Sequence, residues 1–207
     1  MIATKKIIPA PDQSIANPEI YFGGDEAKVA EWPKNPDGDY LTLLFSIDCR
    51  AIQSKIKRSD IPDSGFIHVF STYSRQEYFL DYITYSGNAD ELKLISGGYT
   101  FVIHSDAEQS IKSPIESMPR LNMTLIDYEI GESEFSMASL VSEIPPNGVL
   151  AAEALSEEYN FFCQIYSSDF PHPFQDALYL TDALGFLFIR KARHEGERLG
   201  LFFVQTA

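Results

Sequence analysis

The chain has 207 residues, 44% of them apolar and 22% charged, with 16 Lys and Arg against 30 Asp and Glu, a formal charge of −14. That length buries an adequate core without disulfide or metal staples, and the composition is that of a globular chain rather than a disordered one. So negative a charge argues against binding to nucleic acid or to an anionic membrane surface, and favours solubility and a basic partner.

The first residues carry a basic pair, Lys5 and Lys6, without an apolar run behind it long enough for a secretory signal, so a cytoplasmic protein is expected. Residues 41–48 form an apolar run suited to a strand buried on both faces. Asp48 then stands where an N-cap belongs, ahead of a short helix over 49–56. A turn signal at 62–65 precedes a strand over 65–70, and further strands are predicted over 78–85, 99–103, 121–130, 159–166, 177–180, 185–189 and 199–204. A second helix is predicted over 148–158, where Ala151, Ala152, Ala154 and Leu155 are good formers. The fold class is therefore α+β, a predominantly antiparallel β-sheet with a few short helices, in one domain over 1–207. The strand pair around Phe45-Ser46-Ile47 and Gly65 resembles the pair around Cys163-Gln164-Ile165 and Gly185, at offsets of 118 and 120 residues. Either two similar halves, about 20–110 and 120–207, arose by duplication, or buried strands look alike by chance.

Charge is unevenly spread. No lysine or arginine lies between Arg120 and Arg190, while eleven acids fall from Asp127 to Asp182. Such a run normally marks a disordered tail. Here it is interleaved with strand-forming segments, so the acids are expected on a folded surface. Glu129, Glu132 and Glu134 cluster around Gly131, and Glu153, Glu157 and Glu158 recur at helical spacing. These six are the candidate partner-binding residues.

Signatures of catalysis are missing. His68, His104, His172 and His194 show no metal-ligand spacing with one another or with cysteine, and no metal or cofactor is expected. Setting Gly38 at the sixth place of a calcium loop puts Pro33 and Leu44 where carboxylates are needed, so 35–39 is a turn. No nucleophile elbow, Walker or dinucleotide pattern occurs. Asp48 beside Cys49 disfavours a thiolate, and the two cysteines read as free buried thiols, with a single bridge as the alternative.

One ordered constellation stands out: Tyr21-Phe22-Gly23-Gly24, then Glu31-Trp32-Pro33, then the apolar run ending Ile47-Asp48, then Pro62-Asp63-Ser64-Gly65 before an aromatic strand. It resembles the YwqG-like family of bacterial domains. The late stretch Thr181-Asp182 followed by Gly185 and an aromatic strand is similar to that family in outline. The chain departs from the family in carrying Ser46 where glutamine usually precedes Ile-Asp, the glutamine standing instead at Gln164, and in lacking a late tryptophan. In that likeness Gly23, Gly24, Trp32, Pro33, Asp48 and Gly65 are scaffold.

The resemblance implies no enzyme activity. It implies genomic company, since YwqG-like proteins occur as immunity proteins beside secreted bacterial toxins. The expected function is a cytosolic, monomeric immunity protein that neutralises a cognate, basic toxin through its acidic surface, with no catalytic residue of its own. The alternative is a small-ligand-binding or cryptic enzymatic domain, with a pocket between the halves near Trp32 and Asp48.

Overall fold

A computed structural model describes residues 1–15, 17–169, 172, 177–178, 182–192 and 198–206. Twelve strands are defined in it: β1 Ile2–Pro9, β2 Ile20–Phe22, β3 Glu26–Ala27, β4 Thr42–Asp48, β5 Phe66–Ser71, β6 Thr100–Ser105, β7 Ile111–Lys112, β8 Leu121–Ile130, β9 Leu140–Val141, β10 Tyr159–Tyr166, β11 Ala183–Arg190 and β12 Gly200–Thr206. Four short helices accompany them: α1 Cys49–Lys55, α2 Leu80–Ile83, α3 Ala89–Leu94, which runs into a π-helical turn Ile95–Tyr99, and α4 Ala152–Leu155. Among the described residues no helix is long and apolar enough to cross a membrane.

Ten strands make one antiparallel sheet in the order β12-β11-β10-β9-β1-β8-β2-β4-β5-β6, and β3 pairs with β7 apart from it. The order is the same from either end: β6, β5, β4, β2 on one side match β12, β11, β10, β9 on the other. At the centre the first strand of each half has crossed over, β1 lying against β9 and β8 against β2, while β1 and β8 pair along their length from Ile2↔Ile130 to Pro9↔Met123. The two sides also share a β-bulge. Register slips between Leu43 and Phe45 on β4 and between Phe161 and Cys163 on β10, so the extra residues are Leu44 and Phe162, 118 apart. Each bulged carbonyl accepts an N–H from the residue after the neighbouring strand, Gly23 (2.8 Å) and Ser142 (3.0 Å).

The sheet curls until its edges meet, a nearly closed barrel. The Thr100 hydroxyl donates to the Phe202 carbonyl (2.7 Å) and the Leu199 N–H to the Val102 carbonyl (3.1 Å), which covers the two edges. Alternation along the strands sends Phe22, Phe45, Ile67, Met123, Phe162 and Phe202 inward, where Phe45 meets both Phe22 and Phe202 edge-on at 5.9 Å. Fully burying each such ring contributes about 1.5–3 kcal/mol. Each flank of the barrel is then covered from outside. Trp32, Leu41 and Leu43 lie on Phe70 of β5, while Tyr85, Ile95 and Leu155 cover Phe161, Phe186 and Phe203. Strand β11 is thus buried on both faces.

Three expectations are corrected. Residues 78–85 are not a strand: Phe79 and Ile83, four apart, both reach the barrel core, which selects the helix α2. The helix expected over 148–158 shrinks to α4, because Gly148 (φ 93°) and Ala151 (φ 60°) are both left-handed and block an earlier start. Ala177 and Leu178 lie in a turn, and the remainder of the strand expected over 177–180 falls outside the described residues. The N-terminal strand β1 went unread, since Lys5 and Lys6 interrupt its alternation. Both cysteines are free and buried, and burial pushes the Cys163 thiol far up, so it is inert.

Candidate functional site

The six candidate acids are all exposed, but the fold gives three of them partners. Glu132 accepts from the Met1 amine (2.9 Å), Glu134 accepts from the Gly131 N–H (2.9 Å) and closes its own turn, and Glu158 faces Arg190 (3.4 Å). The crossed-over strand β1 brings bases to the stretch that has none of its own. Lys5 pairs with Asp127, and Lys6 stands over the Tyr128 ring at 5.6 Å. Their hydrogen bonds hold the carboxyls of Asp127 (to Lys5) and Glu132 (to the terminal amine) below the usual range. Among the described residues, Glu129, Glu153 and Glu157 have no ion-pair partner and carry the uncompensated charge.

Beside these acids the structure places something the periodicity of the sequence did not flag. Ile126, Phe135, Met137, Ile144 and Leu150 are half of the ten exposed large hydrophobics among the described residues, and all fall within 25 residues of chain. The loops 131–139 and 142–151 that carry four of them pack on each other. The Asn147 amide donates to the Ser133 carbonyl (3.2 Å), and the Phe135 ring lies so close over Gly148 that a Cβ there would fall 2.6 Å from it. The back of the first loop is held by the buried Gln164 amide, which donates to the carbonyls of Ser136 (2.7 Å) and Ala138 (3.0 Å), and by Asp169, which accepts from the Ser139 N–H (2.7 Å). Ile144, Met1, Glu132 and Glu143 border a groove of about 780 Å³. Exposed apolar side chains on braced loops, with Glu132 and Glu143 beside Ile144 along the groove, have the composition of an interface core and rim. Isolated apolar residues in polar loops have no period, which is why pattern reading passed over them.

The residues of the ordered constellation, Gly23, Gly24, Trp32, Pro33, Asp48 and Gly65, all lie on the first half. Gly23 and Gly24 leave β2 with φ of 59° and 101°. Trp32 is buried, donates to the Leu41 carbonyl (2.8 Å) and meets Phe70 at 5.2 Å, while the carbonyl of Pro33 accepts from the Leu41 N–H (3.0 Å). Asp48 caps α1 by accepting from the Ala51 N–H (2.9 Å). Gly65 has φ 79°, and a Cβ there would fall 2.6 Å from the Ser105 carbonyl as well as against Asp106. Gly65→Ala is therefore expected to destabilise by roughly 1–3 kcal/mol, read as a lowered urea midpoint at constant m. A midpoint within error of wild type would refute this account of Gly65.

A cavity beside Asp48 is lined by Tyr21, Lys28 and Phe66 of the first half and by Arg120, which opens the second, among others. Residues 35–39 form the expected turn, the Asn35 side chain accepting from the Asp37 (3.0 Å) and Asp39 (2.8 Å) N–H groups. His68 is buried in β5, His104 reaches the Ser64 carbonyl (2.9 Å), His172 is exposed, and His194 lies outside the described residues. Among the described residues no cluster of three or more His, Cys, Asp or Glu is placed to hold a metal.

Neither the curated proteins nor the solved structures searched give a match to the chain. A family model described as "Domain of unknown function (DUF1963)" matches residues 22–160, well over half the chain. That span runs from the end of β2 to the start of β10 and takes in Gly23, Gly24, Trp32, Pro33, Asp48 and Gly65 as well as both apolar loops. The chain is a member of the DUF1963 family.

Proposed function

We propose that this protein is a non-enzymatic binding protein of the immunity type, a YwqG-like member that sequesters a basic protein toxin in the cytoplasm. The observation that carries the reading is the exposure of Phe135, Met137, Ile144 and Leu150 on two mutually braced loops, in the same stretch of chain as Glu129, Glu153 and Glu157, which have no ion-pair partner among the described residues. Aromatic and Met side chains are the anchors that dominate interface energetics, and loops held in place before binding lose little entropy on docking. The free acids add attraction to a basic cleft and speed encounter.

The test is co-expression with the product of the adjacent open reading frame, followed by affinity measurement on the purified pair. Rescue from toxicity is expected. Phe135→Ala and Met137→Ala should each weaken the complex by about tenfold or more, chiefly through faster dissociation. The triple reversal of Glu129, Glu153 and Glu157 to lysine should slow association and flatten its salt dependence. Affinity and salt dependence unchanged in all of these variants would sink the reading.

A further inference from the structure

The two sides of the sheet differ at a matched position, and on the first side a cavity borders Tyr21, the cross-strand neighbour of that position. Two residues past each bulge stand Ser46 on β4 and Gln164 on β10, 118 residues apart. Gln164 spans the gap to the loop ahead of β9 with its two hydrogen bonds to Ser136 and Ala138. The serine hydroxyl is too short to do the same. It bonds instead to its cross-strand neighbours, His68 Nδ1 at 2.7 Å and the Tyr21 phenol. The loop ahead of β2 is the counterpart of the one Gln164 ties down, and its Asn17 and Pro18 border a cavity of about 180 Å³. The cavity opens toward a groove of about 590 Å³, with which it shares Asn17, Lys28, Asp48 and Phe66.

Charge in this cavity is arranged for a ligand rather than for internal pairing. The Arg120 guanidinium lies 3.9 Å from the centre of the Tyr21 ring and spends only Nε on Asn122 (3.0 Å). Lys28 Nζ lies 4.9 Å from the centre of the Phe66 ring. Among the described residues neither cation has a carboxylate within ion-pair distance, in a chain with nearly twice as many acids as bases. Aromatic faces hold cations in place without neutralising them. Across the same small space stand Glu26, which has no ion-pair partner among the described residues, and Asp48, whose Oδ1 is engaged by the Ala51 N–H. Behind the wall, the buried His68 ring stacks on Phe66 at 5.8 Å.

We propose that this cavity is a binding site for a free amino acid or an equally compact zwitterion, its carboxylate taken by Arg120 and Lys28 and its ammonium by Glu26 and Asp48. The volume suits a molecule of that size, and a planar guanidinium with two free nitrogens matches a carboxylate bidentately. A lone anion would meet Glu26 and Asp48, and a lone cation would meet Arg120 and Lys28, so neither uses the site well. The cavity shares no residue with the 131–151 face, and the proposal stands apart from the toxin-binding reading.

The test is thermal shift and titration calorimetry of the full chain with the standard L-amino acids one at a time, with acetate, inorganic phosphate and methylamine as single-charge probes. At least one amino acid is expected to bind with one-site stoichiometry and raise Tm, and the single-charge probes are not. Arg120→Met and Lys28→Met should each weaken binding by about tenfold or more. Glu26→Gln, which removes one of the two carboxylates offered to the ammonium, should weaken binding likewise while leaving the circular dichroism spectrum intact. If that variant fails to fold, the Arg120 and Lys28 variants decide. No binding by any amino acid, or binding that survives Arg120→Met and Lys28→Met undiminished, overturns the proposal. Equal binding of acetate or phosphate overturns the zwitterion assignment.

Discussion

Asp60→Ala is expected to destabilise the protein by about 3–5 kcal/mol, the largest effect of any single side chain considered. Asp60 and Arg58 are 7% and 8% exposed and meet through two bonds, Nε to Oδ1 at 3.0 Å and Nη2 to Oδ2 at 2.5 Å. Arg58 Nη1 also donates to the Ser142 carbonyl (3.1 Å), the Asn160 amide donates to Asp60 Oδ2 (3.0 Å), and the guanidinium lies 5.2 Å from the centre of the Phe162 ring. The pair therefore clamps the loop after α1, in the first half, onto β9 and β10 in the second. Removing the carboxylate strands a buried guanidinium, whose desolvation is then uncompensated. The double variant Arg58→Met/Asp60→Leu removes both charges and should recover most of the loss. Urea unfolding of the three proteins checks this, and a cost for Asp60→Ala below about 1 kcal/mol would show that the pair is not the clamp described. Burial pushes the Asp60 carboxyl up, but the Arg58 hydrogen bonds and charge outweigh it and hold it below 3.8. Its contribution is thus complete above that value and fades as the pH drops through the lowered folded-state pKa.

Acid should destabilise the protein well before Asp60 titrates, and His68 is the reason. Burial lowers its pKa from 6.5 to about 4, the positive charges of His104 and Lys28 acting in the same direction and the Lys28 backbone opposing them. A depressed histidine binds its proton more readily in the unfolded chain. The contribution of neutral His68 is therefore fully present above pH 6.5 and declines as the pH falls toward 4, by about 3 kcal/mol over the whole window. Unfolding free energies measured at intervals across that window should show the decline. His68→Asn, which keeps an amide near Ser46 without a titrating ring, should flatten the profile there. Wild-type stability that is constant from pH 7 to 4.5 would exclude this account.

The strands were legible wherever burial wrote a long apolar run. β4, β5, β8, β10, β11 and β12 were all foreseen within a few residues, because both faces or one whole face must leave water. The Asp48 cap was legible for a local reason, since its carboxylate serves an amide three residues away. What failed were segments whose state depends on distant partners. Residues 78–85 hold enough Tyr and Phe for a strand, yet become α2 because the barrel core lies where only Phe79 and Ile83 can reach together. The acidic run was legible as a run, but not that β1 would lay Lys5, Lys6 and the terminal amine against it. At the candidate face, the acids could be named from spacing, while Phe135, Met137, Ile144 and Leu150 became notable only once their exposure was known.

The net charge of −14, the antiparallel sheet, the capped helix after Asp48 and the scaffold glycines follow from composition and local pattern alone, because each rests on solvation, pleat or backbone sterics within a few residues. The exchange of β1 and β8 between the halves, the edge-to-edge closure through Thr100 and Phe202, and the cavity bordered by Tyr21, Lys28 and Arg120 were decided only in three dimensions. Each of those depends on which surfaces meet across 80 or more residues of chain, as Tyr21 does with Arg120, and no local rule specifies that.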